Sequence, residues 1–459
     1  MEGANLDPIA PFVPPEIGLD TFGFPITINS TMQPNLGLRS SICVLLILSV
    51  SCQHSHHTTP AEAPSLSAAA VASEQGGQSS DPTAAHQHSG QLSFVEEAQI
   101  EALKTPFKGI TTSGEIVQGL FQIQATGVST EETRLAAQEF LASLSEEQRA
   151  KTLFPIDDDE WRRWSNVDNG LYARQGVSIK ELGAAQKKRA FEFMQQALSA
   201  KGYRLSRNIM KTDQSIRELN DDNPIYDEEL YYFTILGTPS ETAPWGWQLD
   251  GHHLVINYFI LGDQVVMTPV FMGAEPVVAT AGKHEGNTLF QDEQNLGLRF
   301  MQSLSKAQQA KATLGKTKTS FNMKTDAFKD NVVVAYEGLL ASELSTGQQD
   351  TLLGLARQYV SNMDAGHAAI KMADIKKHLD KTYFAWIGPV DDEAVFYYRI
   401  QSPVILIEFD HQESIAMPSL KGKGPTRQHI HTSVRTPNGN DYGKDLLRQH
   451  LEQHHGHDR

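Results

Sequence analysis

Three short segments of the sequence place histidine, carboxylate or other polar side chains on one side of an alternating pattern. They are residues 253–257, 408–412 and 429–435. Side chains two residues apart share one face of a β-strand, so each segment predicts a strand with one polar and one apolar face. The polar faces carry His253, Asn257, Glu408, Asp410, Gln412, His429, His431, Ser433 and Arg435. If the three strands are neighbours in one sheet, these side chains converge.

A His-x-His pair on one strand face, with another histidine and carboxylates nearby, indicates a site for a divalent metal. Neutral imidazole and carboxylate groups are ligands for zinc, iron, manganese or copper. The candidate ligands are His253, His411, His429 and His431. An open coordination position would activate water. The predicted catalytic residues are Asp410 or Glu408, as a further ligand or general base, and Arg435, which would pair with an anionic substrate group.

Aromatic and amide side chains near these strands are the predicted substrate-binding residues. They are Trp245, Trp247, Asn257 and Asn440. Simpler interpretations stay open for the whole constellation. The polar face of an antiparallel sheet is commonly exposed to solvent, and a tryptophan more often packs in a core than against a ligand.

The spacing of apolar residues predicts the elements that position these side chains. Helical spacing predicts helices at 130–144, 145–153, 179–200, 203–210, 295–314, 347–362, 368–380 and 444–455. Alternation predicts strands at 230–237, 253–261, 264–272, 382–387, 394–400, 404–411 and 429–436. Groups of strands flanked by helices favour an α+β domain with a largely antiparallel sheet.

One local pattern, Leu-Ser-x-x-Gln, occurs at residues 144–148, 304–308 and 344–348. A serine followed three residues later by glutamine is the spelling of a capping box. The pattern therefore predicts three helix starts. Five residues are too few to indicate an internal repeat.

The first part of the chain has the composition of a leader and a linker. From Met32, a segment with the single positive charge of Arg39 leads into the apolar residues 42–50 and then Cys52. This apolar run is far shorter than the roughly 20 residues that span a bilayer, so it predicts a signal peptide. It resembles a bacterial lipoprotein signal with translation starting at Met32 and Cys52 lipidated; an ordinary secretory signal is the alternative. Residues 1–52 are thus a leader, 53–95 a disordered Ser/Ala/Gln/His-rich linker, and 96–459 a single folded domain.

Composition and missing motifs exclude several classes of protein. A net charge of -16 argues against binding nucleic acid, which requires cationic residues to neutralise phosphates. Both cysteines, Cys43 and Cys52, lie in the leader, so the predicted domain has no disulfide and no cysteine nucleophile. The sequence has no G-x-S-x-G elbow and no complete zincin or P-loop motif.

Several longer motifs resemble a known family. They are Leu153-Phe154-Pro155 with Trp161, Trp245 to Leu254, Thr268 to Ala274, Thr382 to Trp386, Ile407 to His411, and His429 to Gly443. Over roughly residues 135–455 they resemble DUF3500, a family defined as a domain of unknown function. The resemblance implies a secreted or membrane-anchored bacterial protein, but it implies no activity and no catalytic residue.

Together these patterns predict a cell-envelope lipoprotein. The leading hypothesis is a metal-dependent enzyme, most consistent with hydrolysis of a small or oligomeric extracellular substrate. The alternative is a non-catalytic lipoprotein that binds a metal or another ligand. In both, the lipid anchor makes the membrane a partner, and the protein faces the periplasm or the exterior.

Overall fold

The computed structural model of the protein describes residues 92–455. The leader, the signal peptide with Cys52 and nearly all of the linker lie outside these residues. The first helix begins at Phe94, close to the domain start expected at residue 96. Between residues 92 and 455, no helix is long and apolar enough to cross a membrane.

Residues 92–455 contain ten α-helices and thirteen β-strands. The helices are Phe94–Leu103 (α1), Glu131–Ser143 (α2), Glu146–Thr152 (α3), Ala184–Ala197 (α4), Ala200–Leu219 (α5), Gln291–Ser303 (α6), Lys306–Ala312 (α7), Thr346–Val360 (α8), Ala365–Lys377 (α9) and Lys444–His455 (α10). The strands are Leu153–Phe154 (β1), Val177–Ser178 (β2), Tyr231–Leu236 (β3), Trp245–Gly251 (β4), Leu254–Leu261 (β5), Gln264–Val266 (β6), Val270–Ala274 (β7), Thr313–Gly315 (β8), Leu339–Leu340 (β9), Tyr383–Ile387 (β10), Tyr397–Gln401 (β11), Leu406–Glu413 (β12) and Pro425–Arg435 (β13).

All thirteen strands belong to one sheet. Its main path is β1-β3-β4-β5-β7-β13-β12-β11-β10-β8, with β2, β6 and β9 pairing beside it. The pairs along this path are antiparallel except the two at the ends, β1 with β3 and β8 with β10, which are parallel. The predicted α+β class is confirmed, and the sheet is mixed although mostly antiparallel.

The sequence-based prediction missed the two- and three-residue strands β1, β2, β8 and β9, and it differs from the structure at two longer elements. The prediction missed β4, because its residues are buried on both faces and therefore show no alternation. The strand expected at 264–272 is divided into β6 and β7 around Pro269, which has no N–H to give to a ladder. The predicted hairpin at Gly262 and Asp263 is confirmed, since Leu261 pairs with Gln264 across it.

The three predicted helix starts are confirmed. In α3, α7 and α8 the N-cap serine accepts the backbone N–H of the glutamine three residues on, and that glutamine reaches back to the N-cap N–H. Each box satisfies two N–H groups that the first helical turn leaves without a partner.

The same series of elements occurs twice, which the sequence analysis did not infer. The order α2, α3, β1, β2, α4, α5, β3, β4, β5 is repeated as α6, α7, β8, β9, α8, α9, β10, β11, β12. Each Cα pair of β10 with β11 and of β11 with β12 has a counterpart 151 residues earlier, in β3 with β4 and β4 with β5. The two halves therefore share one strand register.

A pseudo-twofold axis relates the halves. Ile256 pairs with Val270, and its counterpart Ile407 pairs with Val434, so the two valines are also counterparts. These valines pair directly with each other where β7 meets β13. The axis thus passes between these two valines. Strands β7 and β13 join the halves into one continuous sheet.

Apolar side chains cover both faces of the sheet. On one face the helices enclose a large core that includes Trp245, Trp247 and Trp386. On the other face Val255, Phe259 and Phe271 pack with residues from loops and from α10. Both layers exclude water from the strands that carry the predicted site.

One carboxyl is buried at high cost beneath this second layer. Glu160 lies in the short 3-10 segment Asp159–Arg162, is 1% exposed, and its Oε2 has no hydrogen-bond partner in the described chain. Burial raises its pKa to about 8, against the opposing charge of Arg163. The folded protein therefore favours the neutral carboxyl.

The first prediction concerns stability against pH. The pKa of Glu160 is raised in the folded state, so its stabilising contribution is complete below pH 4.5 and is lost as the pH rises to about 8. At about 1.4 kcal/mol per pKa unit, Glu160→Gln should raise the free energy of unfolding at pH 8 by up to roughly 4 kcal/mol and leave it nearly unchanged at pH 4.5. Urea denaturation at both pH values measures this, with the exposed Glu147→Gln as control. An equal effect at the two pH values would contradict the assignment.

Candidate metal centre

Three of the four predicted histidine ligands meet beside the central strands of the sheet, near the β4–β5 loop. His429 and His431 come from β13, and His253 comes from the loop between β4 and β5. Their ligand atoms all lie within 4.8 Å of one another. The ring centroids of His253 are 5.3 Å from His429 and 5.1 Å from His431, and all three side chains are buried. This group is called the histidine cluster below.

A glycine makes room for the cluster. Strand β7 lies between β5 and β13, and its Gly273 pairs with His431. A Cβ atom at this position would lie 2.9 Å from Cδ2 of His431 and 3.1 Å from Cδ2 of His253. Any side chain at residue 273 would therefore push the two imidazoles apart.

The hairpin loop determines the position of His253. Strand β5 begins at Leu254, one residue later than predicted, so strand parity does not place His253 with Asn257. The backbone of His253 has a φ of 61°, an uncommon left-handed conformation for a residue with a Cβ. Its carbonyl oxygen accepts a 2.7 Å hydrogen bond from the N–H of Gly273, which fixes the loop against β7.

Hydrogen bonds orient the ring of His429. Its Nδ1 lies 2.7 Å from the carbonyl oxygen of Glu413, so Nδ1 carries the hydrogen and donates. The other nitrogen, Nε2, is then an acceptor and lies at hydrogen-bond distance, 2.9 Å, from Nε2 of His431. Oε2 of Glu275 is 3.5 Å from the same Nδ1. A carbonyl and a carboxylate behind an imidazole are the usual outer partners of a metal ligand.

A fourth histidine stacks on the cluster. The ring of His252 lies 3.9 Å from that of His253, and its Nδ1 is 2.5 Å from Oδ1 of Asp213 on α5. The Tyr231 hydroxyl donates to the other oxygen of Asp213, at 2.6 Å. Burial lowers the pKa of His252, but the charge and hydrogen bond of Asp213 outweigh burial and raise it overall. No pattern in the sequence indicates that Asp213, Gly273 or Glu275 belongs to this site.

Electrostatic effects favour the neutral form of two imidazoles of the cluster, those of His253 and His431. Burial lowers the pKa of His253 and of His431 well below its usual range, and the neighbouring histidines lower both further. Neutral rings present the lone pairs that a metal ion requires. The Nδ1 of His253 is buried and has no hydrogen-bond partner among residues 92–455. Buried nitrogens of this kind normally have one.

The spacing also fits a metal ion. Two nitrogens bound to one tetrahedral zinc at about 2.0–2.1 Å lie about 3.4 Å apart. The 2.9 Å between the Nε2 atoms of His429 and His431 requires only a small separation of the rings. The residues present therefore fit a three-nitrogen site.

The predicted carboxylates lie on the same face but have partners of their own. Asp410 pairs across the strands with His431, and its Oδ1 is 2.9 Å from Nζ of Lys318. Glu408 accepts hydrogen bonds from the Lys324 N–H and the Tyr397 hydroxyl. A segment around residues 318–330 covers this face, so the carboxylates are enclosed and not exposed to solvent.

Arg435 lies further along β13 from the cluster. Its guanidinium is 2.6 Å from Asp330 and 2.8 Å from Asp441, and the side chain is fully buried. The structure thus places it in an ion-pair network that joins β13 to residue 330 and to the start of α10.

The remaining predicted residues also lie away from the cluster. His411 points to the opposite face of β12, where Phe396 N–H donates to its Nδ1 and Gln294 bonds its Nε2. Trp245 and Trp247 are fully buried in the helix-side core. The side-chain oxygen of Asn257 accepts a hydrogen bond from Nε2 of Gln248. Asn440 lines a separate cavity.

Comparison with known proteins supports the family resemblance. Residues 126–444 match DUF3500, described as a protein of unknown function. No curated protein and no solved structure matches the chain. Because the match covers more than half of the sequence and includes β4, β5, β7 and β13, the chain belongs to the DUF3500 family.

Proposed function

We propose that the domain is a metal-dependent enzyme whose single divalent ion is held by His253, His429 and His431. The observation that carries this proposal is the convergence of three buried imidazoles with their ligand atoms within 4.8 Å. Without a metal, this arrangement leaves a buried nitrogen of His253 unsatisfied, which is costly.

The ligand set limits the identity of the ion. Imidazole nitrogens suit zinc, copper and iron, whereas manganese prefers oxygen ligands. No carboxylate belongs to the cluster itself. Glu275 approaches the cluster only at Nδ1 of His429, the nitrogen that points away from the other two histidines. Of the four metals considered, manganese is therefore the least suited.

Hydrolysis is the reaction that this site supports best. Three protein ligands leave a coordination position open, and a divalent ion there supplies Lewis-acid chemistry to water or a substrate oxygen. The surrounding residues orient the ligands: the Glu413 carbonyl holds His429, and Asp213 holds His252 beside the cluster. Asp410 is the better candidate for a general base than Glu408, because Asp410 lies directly opposite His431.

Non-catalytic binding is the second candidate function. It is favoured by the burial of His253 and His429, which are only 2% and 3% exposed. A substrate needs access to the ion, whereas a stored or structural ion does not. Turnover measurements separate the two functions.

We also propose that the protein is a lipoprotein of the bacterial cell envelope, anchored through Cys52. The support is the short apolar run before Cys52 and the polar linker that follows it. The substrate or ligand would then be extracellular, small or oligomeric.

Metal binding is the second prediction. The full chain should bind one equivalent of zinc by isothermal titration calorimetry and elemental analysis. His253→Asn, His429→Gln and His431→Gln should each weaken binding at least about tenfold, because each removes a ligand. Asparagine is chosen at residue 253 since it tolerates the left-handed backbone.

The matched control is His411→Gln, which alters a buried histidine outside the cluster. It should retain full binding, and circular dichroism checks that each variant is folded. Unchanged binding in all three cluster variants would assign the metal to other histidines, such as those of the linker, and would refute the site.

Catalysis is the third prediction. The zinc-loaded chain should hydrolyse at least one member of an ester, phosphoester and glycoside panel. A chelator should abolish the activity, and His253→Asn should reduce it at least about a hundredfold, as loss of the ion removes its stabilisation of the transition state. Full metal loading with no turnover on any substrate class would favour the non-catalytic function.

Lipidation is the fourth prediction. In a bacterial host, the chain should incorporate a labelled fatty acid and fractionate with membranes. Cys52→Ser should lose both properties, whereas Cys43→Ser should keep them because Cys43 lies inside the apolar run. Equal labelling of the two variants would contradict the assignment of Cys52.

A further inference from the structure

A small cavity lies between the α8–α9 junction and strands β6, β7 and β13. Its volume is about 60 Å³. At 10–15 Å³ for each water-sized group, this holds about four to six non-hydrogen atoms. Most of its lining is apolar, including Val265, Val266, Met267, Val270 and Ile405.

The cavity lies on the helix-covered face of the sheet, and one of its lining residues is the counterpart of a histidine of the cluster. Phe259 and Asp410 are counterparts in the shared register. Phe259 pairs with Val266 and Asp410 pairs with His431, so Val266 is the counterpart of His431. Val404 is likewise the counterpart of His253, 151 residues later in the hairpin loop. Apolar side chains replace the imidazoles, so this second position cannot hold a metal ion.

A cationic side chain reaches this otherwise apolar space. Lys371 of α9 lines the cavity, and its Nζ donates a 2.8 Å hydrogen bond to the carbonyl oxygen of Val404. An ammonium has three donors, and this is the one hydrogen bond found for Lys371 within residues 92–455. Two donors therefore have no protein acceptor in this part of the chain.

The nearest carboxylates do not neutralise Lys371. Asp441 is held at 2.8 Å by Arg435, and Asp374 lies 3.4 Å from His378. Burial lowers the pKa of Lys371 even though both carboxylates oppose the shift. An anion in the cavity would stabilise the charged form of Lys371.

Asn362, which also lines the cavity, carries an unsatisfied acceptor. Oδ1 of Asn362 is buried and has no hydrogen-bond partner among the described residues. The asparagine is 5% exposed, and its Nδ2 contacts the sulfur of Met272. A ligand hydroxyl would supply the missing donor.

We propose that this cavity binds a short monocarboxylate of about six non-hydrogen atoms, with its carboxylate on Lys371, its apolar carbons among the valines, and a hydroxyl, where present, on Asn362. The site is separate from the histidine cluster and does not depend on the proposed enzymatic function. It would give the domain a small-molecule site in addition to the proposed metal site.

Ligand specificity tests the charge requirement without any variant. Binding of propionate, lactate, butyrate, butyramide and butylamine to the full chain is measured by saturation-transfer NMR with a chelator present, so that no carboxylate binds through a metal ion. Propionate, lactate and butyrate should bind, lactate tightest. The amide should bind at least tenfold more weakly than butyrate, and the amine should not bind. Butyramide binding as tightly as butyrate would overturn the proposal.

Two variants locate the site. Lys371→Met should weaken lactate binding at least tenfold, whereas Lys376→Met, on the exposed side of the same helix, should not change it. Asn362→Leu should remove the preference for lactate over propionate. Carboxylate binding that survives Lys371→Met unchanged in a folded protein would show that the ligand lies elsewhere.

Discussion

The antiparallel pairing of β7 with β13 is the contact on which the rest of the domain depends. It joins two halves of the same design into one sheet, and it brings His431 of the second half opposite Gly273 of the first. Because Gly273 has no side chain, the imidazoles of β13 can meet His253 across β7. A backbone ladder, and not a side-chain contact, thus aligns the ligands of the candidate metal centre.

Buried polar groups on the loop-covered face of the sheet are of two kinds. Glu408, Asp410 and Arg435 each have several protein partners, so their desolvation is compensated within the fold. The histidine cluster is different, because its nitrogens face one another and one of them has no partner in the described chain. The groups with partners join loops to strands, whereas the unpaired nitrogen of the cluster points to a missing ligand.

Much of this arrangement could be predicted from the sequence, and the exceptions have physical reasons. Alternation along β13 placed His429 and His431 on one face, and the capping boxes gave three helix starts. Parity assigns a residue to a face but cannot say what covers that face, so the enclosure of Asp410 under residues 318–330 was not predictable. Asp213 contributes from a helix 39 residues before His252, and no local pattern links them.

The internal repeat escaped prediction because few residues retain it. Tyr232, Phe233 and Gly237 recur as Tyr383, Phe384 and Gly388, the same 151 residues apart that the register shows. So few identical residues can be recognised as a repeat only once the strand pairing is known. The other residues of the two halves differ, because corresponding positions contact different neighbours.

The pseudo-twofold axis has a consequence for how the molecule can diversify. Two identical halves related by such an axis must present every site twice, with the same side chains at both. A single chain is free of that constraint, since its two copies are encoded separately. Here one copy carries imidazoles and the other valines, so one architecture supplies two chemically different environments within the same sheet.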